Sequence, residues 1–228
     1  MTKIVDDKMF FYEQFANEFD HKMNMYDTNK RIKVIFDELL TENIEHKLLL
    51  DAGCGTGWFS QKACERKAHV TSLDLGVNLL DEVAKKCDSN RVVGSILQMP
   101  FEDNYFDIVI SSEVIEHVPD HKKALSELYR VLKPNGILVI TTPNKLWYFA
   151  IFIANTFKLR PYEGIENWIG WFEMKRLLPQ VGFRIDKMVG IHLFPFIFRF
   201  LNPVLDYFHT YNKRLGPLMV NMAIKAYK

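Results

Sequence analysis

The middle of the chain alternates short apolar runs with amphipathic segments, which predicts strands separated by helices. The predicted strands are residues 47–53, 69–74, 91–96, 105–112 and 136–142. The predicted helices between them are residues 56–67, 78–87 and 121–133, and the last of these is stopped by Pro134. Because the strands are almost continuously apolar, we predict an α/β fold, with a parallel sheet covered by helices on both faces.

Both ends of the chain depart from this alternation. Residues 32–40 place apolar side chains at helical spacing and residues 11–20 do so more loosely, so the first 45 residues are predicted to be helical. Near the other end, residues 172–178 form a predicted helix, and residues 183–189 and 220–228 form two predicted strands. Since only a long loop joins these two strands, they are expected to pair antiparallel.

Composition narrows the class of protein. The 228 residues are 48% hydrophobic and 25% charged, which suits one globular domain. A net charge of +1 gives no basic surface for nucleic acid, which we therefore exclude as a partner. The three cysteines have neither a CxxC pair nor zinc-ligand spacing, and the start of the chain does not resemble a signal peptide. A cytoplasmic protein without a disulfide framework is expected.

The stretch LLLDAGCGTGWF, residues 48–59, joins a predicted strand to a helix through Gly53, Gly55 and Gly57. Glycines allow a tight turn that a ligand can approach without meeting a Cβ, and the following helix offers unpaired N–H groups. Asp74 ends the next strand, where a carboxylate can accept both hydroxyls of a ribose. The GxGxG spacing differs from the GxGxxG of dinucleotide-binding sheets, but at this point an oxidoreductase on a dinucleotide stays an alternative.

Four segments in order resemble the class I S-adenosylmethionine-dependent methyltransferases: LDAGCGTG, VTSLDLG, LQMPFEDNYFDIVISSEVIEHVPD and LYRVLKPNGILVITTPN. The resemblance implies a Rossmann-like, doubly wound, mostly parallel seven-stranded sheet with an antiparallel C-terminal strand pair. It also implies S-adenosylmethionine as cofactor and S-adenosylhomocysteine as product. Carried over by position, the cofactor-binding residues are Asp51, Gly53, Cys54, Gly55, Asp74, Leu75, Ser95, Ile96 and Ser112.

These residues are expected to divide among the parts of the cofactor. By the resemblance, Asp51, the glycine loop and the backbone of Ser112 would face the methionine part, and Asp74 would hold the ribose. The adenine would lie against Leu75, Ser95 and Ile96. Many relatives have an aspartate where this chain has Ser95, so this chain departs from the family pattern at that contact.

Within the class, AHVTSLDLG, SSEVIEHVPD and residues 168–195 resemble the ubiquinone-biosynthesis O-methyltransferases. This likeness implies that Arg31, opening the helix before the glycine strand, pairs with the methionine carboxylate. Glu113, Glu116 and His117 lie at i, i+3 and i+4, and in a helical turn they would point to one side. We predict catalytic roles for these three residues.

Two carboxylates and an imidazole can hold a divalent metal or position a proton acceptor. His117, with a reference pKa of about 6.5, is suited to take the proton of a phenol. We assign no metal to these residues, although a divalent ion stays an alternative. Lys145, at the end of the fifth strand, is a weaker candidate for a substrate contact.

Two aromatic segments, residues 146–157 and 191–211, lie on the side where this class builds its substrate lids. Apolar segments rimmed by Lys, Arg, Trp and Tyr are typical of a greasy substrate or of peripheral contact with a membrane surface. We predict one methyltransferase domain over residues 1–228. Residues 1–45 would form an N-terminal helical lid, 46–144 the cofactor-binding core, and 145–170 and 190–215 two substrate-side insertions.

The sequence thus predicts methyl transfer to a hydroxyl on a lipophilic or aromatic small molecule, by a protein of the cytoplasm or of the membrane surface. Three alternatives remain open beside the dinucleotide oxidoreductase. The acceptor atom could be nitrogen or carbon of another small molecule, the acceptor could be a lipid or glycan intermediate, or the chain could be a non-catalytic cofactor-binding partner. The oligomeric state is not indicated by the sequence.

Overall fold

The structure, a computed structural model, describes residue 20 and residues 25–149, 165–193 and 211–228. Its strands are β1 Leu48–Ala52, β2 His69–Asp74, β3 Asn90–Val93, β4 Phe106–Ser112, β5 Leu132–Pro143, β6 Arg184–Ile191 and β7 Asn221–Tyr227. Its helices are α1 Met25–Lys33, α2 Trp58–Glu65, α3 Val77–Ala84, α4 His121–Val131, α5 Trp171–Val181 and α6 Asn212–Leu215. A π-helical segment, Val34–Leu39, continues α1, and 3-10 turns lie at Ile115–His117, Lys145–Trp147 and Gly216–Leu218. Most of the predicted helix 11–20 and of both aromatic segments lies outside the described residues.

The strands form one seven-stranded sheet in the order β3-β2-β1-β4-β5-β7-β6. Strands β1 to β5 pair in parallel, and β7 pairs antiparallel with both β5 and β6. The predicted fold class, including the antiparallel pair at the end, is therefore confirmed. Because the strand order reverses between β1 and β4, a crevice opens at their carboxyl ends, where ligands of such sheets bind.

Apolar layers cover both faces of the sheet. Successive strand residues point to opposite faces, so Leu49 belongs to one core and Leu50 to the other. Residues of the π-helical segment pack on the Leu49 side, whereas α4 and α5 pack on the Leu50 side. This burial on both faces explains why the strands read as continuous apolar runs in the sequence.

Local chemistry sets the ends of the helices. Asp120 caps α4 by accepting a hydrogen bond from the backbone N–H of Lys123 at 2.9 Å. The helix ends at Val131, before the predicted end at 133, because proline disfavours helical geometry in the residue that precedes it. Helix α5 runs beyond its predicted end at 178 to Val181, where Gly182 takes a left-handed conformation with φ +119°.

Other features bear on the remaining predictions from the sequence. None of the helices within the described ranges is long and apolar enough to cross a bilayer. Cys54, Cys64 and Cys87 are free thiols. The predicted division into an N-terminal lid, a cofactor core and two insertions stays a prediction.

Candidate active site

The glycine loop follows β1 and divides its three glycines between two roles. All three have positive φ, at +79° for Gly53, +52° for Gly55 and +90° for Gly57. A Cβ on Gly53 would lie 2.5 Å from the side chain of Val114, and one on Gly57 would lie 2.9 Å from Val83. A Cβ on Gly55 would meet nothing within 4 Å. Gly53 and Gly57 therefore allow close packing of the loop, and Gly55 opens onto space. The cofactor-binding roles predicted for Gly53 and Gly55 stay predictions.

Asp74, at the end of β2, holds the glycine loop in place. Its Oδ2 accepts the N–H of Gly55 at 2.9 Å, and its Oδ1 accepts the N–H of Gly76 at 3.0 Å. Each carboxylate oxygen has a second lone pair, so Asp74 retains acceptor capacity for a hydroxyl-bearing ligand. Its own carbonyl accepts the N–H of Gly94 at 2.9 Å, which brings the end of β3 beside it.

Asp51 is a buried carboxylate two residues before the glycine loop, with a relative exposure of 1%. Ser60 donates a hydrogen bond to its Oδ2 at 2.6 Å, while its Oδ1 is buried without a hydrogen-bond partner in the described part of the chain. Burial raises the pKa of Asp51 to about 7. A buried acceptor that lacks a donor is complementary to an ammonium group.

The side chains expected near the adenine differ in accessibility. Leu75 and Ser95 are half-buried, and the Ser95 hydroxyl accepts the N–H of Leu97 at 3.2 Å. Ile96 lies in the hydrophobic core, and Cys54 packs with Leu80 and Val83. The roles predicted for Ile96 and Cys54 therefore rest on their backbone. Burial raises the pKa of the Cys54 thiol well above its ordinary value.

Arg31 lies in the last turn of α1, not at the opening of a helix as predicted, because the helix already begins at Met25. Its guanidinium is 2.7 Å from Asp27 Oδ2, and its Nη1 lies 3.5 Å from the hydroxyl of Ser112. Burial acts to lower the pKa of Arg31, but Asp27 and Glu113 raise it overall, so the group stays charged. Its buried Nε has no hydrogen-bond partner among the residues described, which suits a carboxylate ligand.

Glu113 follows β4 in a left-handed conformation, with φ +58°, which is uncommon for a non-glycine residue. Its Oε1 accepts the hydroxyl of Thr141 at 3.0 Å, and its Oε2 accepts the side-chain amide of Asn221 at 2.7 Å. Burial raises the pKa of Glu113 to about 7, although the charge of Arg31 acts to lower it. Two distant strands, β5 and β7, thus hold this carboxylate.

Glu116 and His117 belong to the 3-10 turn Ile115–His117, and Glu113 stands before it. The three predicted catalytic side chains therefore do not share one α-helical face. Glu116 is buried and accepts the hydroxyl of Thr142 at 3.0 Å. His117 Nδ1 lies 2.9 Å from the carbonyl of Ile165, and its Nε2 lies 3.9 Å from Glu116 Oε1. Because a carbonyl only accepts, Nδ1 carries the proton and Nε2 of the neutral ring is the basic nitrogen.

Two further candidates from the sequence are a metal site and a substrate contact at Lys145. Within the described residues, no group of three or more His, Cys, Asp or Glu side chains is arranged to hold a metal ion. Lys145 is exposed, and its backbone N–H donates to the carbonyl of Ile169 at 3.1 Å.

Asp20 is a contact of the glycine loop that the sequence analysis missed. Its carboxylate accepts the Thr56 hydroxyl at 2.5 Å and the Trp58 indole N–H at 3.0 Å, and it pairs with Lys86 at 2.7 Å. Burial acts to raise the pKa of Asp20, but these donors hold it below its ordinary value. The sequence feature that could have indicated this contact is the pair of hydrogen-bond donors in the glycine loop, the Thr56 hydroxyl and the Trp58 indole.

Asp27 and His192 form a second contact that the sequence does not reveal. His192 Nε2 lies 3.1 Å from Asp27 Oδ1, at the end of β6 and beside Arg31. Burial acts to raise the pKa of Asp27, but Arg31 and His192 keep it below its ordinary value. The two residues lie far apart in the sequence, so only the fold brings them together.

The fold and the glycine loop with its acidic partner are those of a class I methyltransferase. A family model described as a methyltransferase domain matches residues 50–140. The chain is 33% identical over 170 residues to a demethylmenaquinone methyltransferase of Staphylococcus aureus, covering 62% of this chain and 70% of that one. The chain therefore belongs to the class I S-adenosylmethionine-dependent methyltransferases, and S-adenosylmethionine is its cofactor.

The other relatives do not assign the chain to one subgroup of this class. It is 32% identical over 221 residues to the uncharacterized protein MJ0638 of Methanocaldococcus jannaschii, covering 92% of this chain and 89% of that one. It spans only 51% of a malonyl-[acyl-carrier protein] O-methyltransferase and 65% of a ubiquinone biosynthesis O-methyltransferase. The predicted closeness to the ubiquinone enzymes is thus one of several weaker likenesses.

The fold has a counterpart among solved structures. An S-adenosylmethionine-dependent methyltransferase from Thermotoga maritima superposes with a TM-score of 0.71 at 19% identity, over 96% of this chain and 98% of that one. The likeness at this identity shows the fold. The cofactor fits the residues described above, because Asp51 Oδ1 and Arg31 Nε are a buried acceptor and a buried donor without partners among the described residues.

Proposed function

We propose that this methyltransferase acts on a hydroxyl of a lipophilic or aromatic small molecule. The observation that carries the proposal is an exposed apolar rim after β5, formed by Leu146, Tyr148 and Phe149, which are 50%, 41% and 56% exposed. Trp147 stacks on Phe149 with ring centroids 5.7 Å apart. Large exposed apolar side chains in one place are typical of a binding surface.

The apolar rim is connected to His117 through the segment that begins at residue 165. Tyr148 of the rim meets Trp168 edge to face, with ring centroids 5.7 Å apart. In the same segment the carbonyl of Ile165 holds His117, and the N–H of Asn167 donates to the carbonyl of Glu116 at 2.7 Å. An apolar acceptor on the rim would therefore lie on the segment that fixes the candidate base.

The residues of this chain would divide the work as follows. When bound, the cofactor supplies an electrophilic methyl group on a sulfonium sulfur. Asp51, Gly55 and Asp74 would hold it, and Arg31 would pair with its carboxylate. His117 Nε2 would take the proton from the acceptor hydroxyl, and the nearby carboxylate of Glu116 would stabilise the imidazolium that forms. Alignment of acceptor and methyl group would supply the rest of the acceleration.

The names of two relatives favour a lipophilic aromatic acceptor. One is a demethylmenaquinone methyltransferase and another a ubiquinone biosynthesis O-methyltransferase, and both names refer to quinones. A polyprenylated phenol is therefore the first acceptor to test. Another isoprenoid or a lipid-linked intermediate would satisfy the same rim.

The test compares acceptors that share a phenolic ring and differ in their tail. S-adenosylhomocysteine release is measured with a prenylated phenol in detergent micelles, with the same ring lacking the tail, and with matched amines. We expect the highest kcat/KM for the prenylated phenol. Equal turnover of the tailless ring would overturn the lipophilic substrate, and preferred transfer to an amine would overturn O-methylation.

We further propose that the rim touches a membrane surface when the enzyme takes its substrate from lipid. Flotation with anionic vesicles should carry the protein upward, and Phe149→Ser should reduce the floated fraction. Phe172→Ser is the matched control, because Phe172 is an exposed aromatic residue of α5 at 70% exposure. If both variants float like the unmodified chain, the rim is not the lipid contact.

A further inference from the structure

An aspartate and a histidine with little exposure to solvent stand beside Arg31, outside the motifs that predicted the cofactor site. Asp27 lies one helical turn before Arg31 on α1, and the side chains of the two are 14% and 10% exposed. His192 follows β6, and its side chain is 2% exposed. Charged side chains are seldom buried without a partner, because burial costs free energy that only paired groups recover. The three residues are therefore best understood as one unit.

Asp27 divides its two carboxylate oxygens between the other two residues. Its Oδ2 lies 2.7 Å from Arg31 Nη2, and its Oδ1 lies 3.1 Å from His192 Nε2. On the other terminal nitrogen of the guanidinium, Nη1 lies 3.5 Å from the hydroxyl of Ser112. Each terminal nitrogen of Arg31 thus faces a protein oxygen. Its Nε is the buried donor that has no hydrogen-bond partner among the described residues.

The backbone and the ring of His192 are both held in place. The backbone is left-handed, with φ +60°, which is uncommon for a residue other than glycine. Its carbonyl accepts the N–H of Val220 at 2.8 Å, next to β7. The ring lies against that of Tyr26 on α1, with centroids 5.7 Å apart. Asp27 therefore meets a fixed imidazole on the side that faces away from Arg31.

We propose that Asp27 and His192 are positioning residues that set the affinity for the carboxylate of S-adenosylmethionine. The inference rests on the pairing of Arg31 with that carboxylate, which is part of the proposed function. A guanidinium binds a carboxylate most strongly through two parallel N–H donors, so its orientation matters as well as its charge. Asp27 fixes the orientation of the guanidinium, and His192 fixes Asp27.

The alternative role for Asp27 is to neutralise Arg31, and the two roles predict changes of opposite sign. A carboxylate that only neutralises competes with the cofactor for the guanidinium, so its removal would tighten binding of S-adenosylhomocysteine. A carboxylate that positions the guanidinium spares the ligand the cost of ordering a long side chain. Its removal would weaken binding, and only of ligands that carry a carboxylate.

Calorimetric titration of the cofactor-free chain with two ligands tests the proposal. One is S-adenosylhomocysteine, and the other is its decarboxylated analogue, which lacks only the carboxylate. Asp27→Ala should weaken binding of the first by about threefold to tenfold, the cost of ordering one long side chain, and leave the second unchanged. Equal losses for both ligands would indicate a structural role, and tighter binding of S-adenosylhomocysteine would indicate neutralisation. Either result would overturn the proposal.

His192→Asn is the second variant, and it tests the proposal even if Asp27→Ala does not fold. Asparagine tolerates a left-handed backbone but is shorter than histidine, so the contact with Asp27 is lost. We expect the same selective loss for S-adenosylhomocysteine. His46→Asn is the matched control, because His46 is exposed and is also left-handed, with φ +61°. If His192→Asn and His46→Asn have the same ratio of affinities for the two ligands, His192 has no positioning role.

Arg31→Lys separates this inference from the proposed function. Lysine keeps the positive charge but lacks the fork of N–H donors. If Arg31→Lys loses the preference for S-adenosylhomocysteine and the variants of Asp27 and His192 keep it, Arg31 binds the carboxylate without their help and only this inference fails. If Arg31→Lys keeps the preference of the unmodified chain, the proposed pairing of Arg31 with the carboxylate fails, and the inference fails with it.

Discussion

The two sides of the crevice are held together by different kinds of contact. On the cofactor side, Asp51, Gly55 and Asp74 come from β1, β2 and the loop between β1 and α2. On the proposed acceptor side, Glu113, Glu116 and His117 are held by β5, β7 and the segment that begins at residue 165. Local backbone geometry determines the arrangement of the first side, whereas the arrangement of the second depends on contacts between distant parts of the chain.

The carboxylates of Asp51 and Glu113 sharpen this contrast. The pKa of each is raised to about 7 by burial. Asp51 has a single donor, Ser60, and keeps one oxygen without a partner among the described residues. Glu113 has a donor on each oxygen, from Thr141 and Asn221. Asp51 thus keeps an oxygen that a ligand's hydrogen bond can reach, whereas both oxygens of Glu113 already accept a hydrogen bond from the protein.

The largest expected effect is on kcat, from a substitution that changes only the proposed acceptor side. If His117 is the proposed proton acceptor, His117→Ala should lower kcat by about 10²-fold to 10⁴-fold. The dissociation constant of S-adenosylhomocysteine should stay the same. His121→Ala is the control, since His121 Nε2 contacts the carbonyl of Asn167 at 2.7 Å in the same segment. A kcat that stays within twofold in His117→Ala would remove this residue from catalysis.

The next largest effect is on cofactor affinity, from a substitution on the cofactor side. Asp74→Ala should raise the dissociation constant of S-adenosylhomocysteine about 10²-fold or more, because hydrogen bonds to charged groups contribute about 1.5–3 kcal/mol each. The N–H groups of Gly55 and Gly76 would also lose their acceptor. Calorimetric titration measures the change, with the exposed Asp81→Ala as control. Unchanged affinity would mean that Asp74 only shapes the loop.

A third comparison lies within the glycine loop. Gly55→Ala should cost stability of about 1–2 kcal/mol from its left-handed backbone alone, since its Cβ enters open space, and should weaken cofactor binding. Gly57→Ala adds a 2.9 Å approach to Val83 and should be the less stable variant. Chemical denaturation of the cofactor-free protein measures both. The reverse order of stability would contradict the division of roles between these glycines.

The smallest effect concerns the pH dependence of stability. A carboxylate with a native pKa of about 7 makes the folded state bind more protons than the unfolded state between about pH 4 and pH 7. Stability attributable to Asp51 therefore falls as pH rises from about 4 to about 8, and about 1.4 kcal/mol of this fall lies between pH 6 and pH 8. Asp51→Asn removes this fall.

Thermal unfolding of the cofactor-free protein measures the effect. Relative to the unmodified chain, Asp51→Asn should gain roughly 3–5 °C in Tm on going from pH 6 to pH 8. Asp120→Asn serves as the control, since the α4 N-cap is exposed and an amide oxygen can replace the carboxylate as acceptor. Parallel pH profiles for the unmodified chain and Asp51→Asn would contradict the raised pKa.

The sequence predicted the fold well because local pattern determines it. Each of the strands, from β1 to β7, overlaps a predicted run. In the central strands β1, β4 and β5, burial on both faces leaves an almost continuous apolar signal. Some predicted ends of helices and strands differ from those in the structure. Helix α1 continues into a π-helical segment, and β3 ends at Val93 before the predicted 96.

The candidate site also has parts that the sequence could predict and parts that it could not. Gly55 and Asp74 could be located from strand–loop–helix spacing, because the backbone places them together. The positive φ of Glu113, its donor Asn221 and the Asp27–His192 contact have no local pattern, since each depends on tertiary packing. The separate functions of Gly53 and Gly57 needed the positions of Val114 and Val83.

The position of β7 has a consequence for how the enzyme is made. This strand lies between β5 and β6, yet it is synthesised after both. Until it inserts, β5 and β6 have no hydrogen bonds to each other, and Glu113 lacks the amide of Asn221. A ribosome-bound chain could therefore complete the cofactor side while its acceptor side is still unformed, so cofactor binding would precede catalytic competence during synthesis.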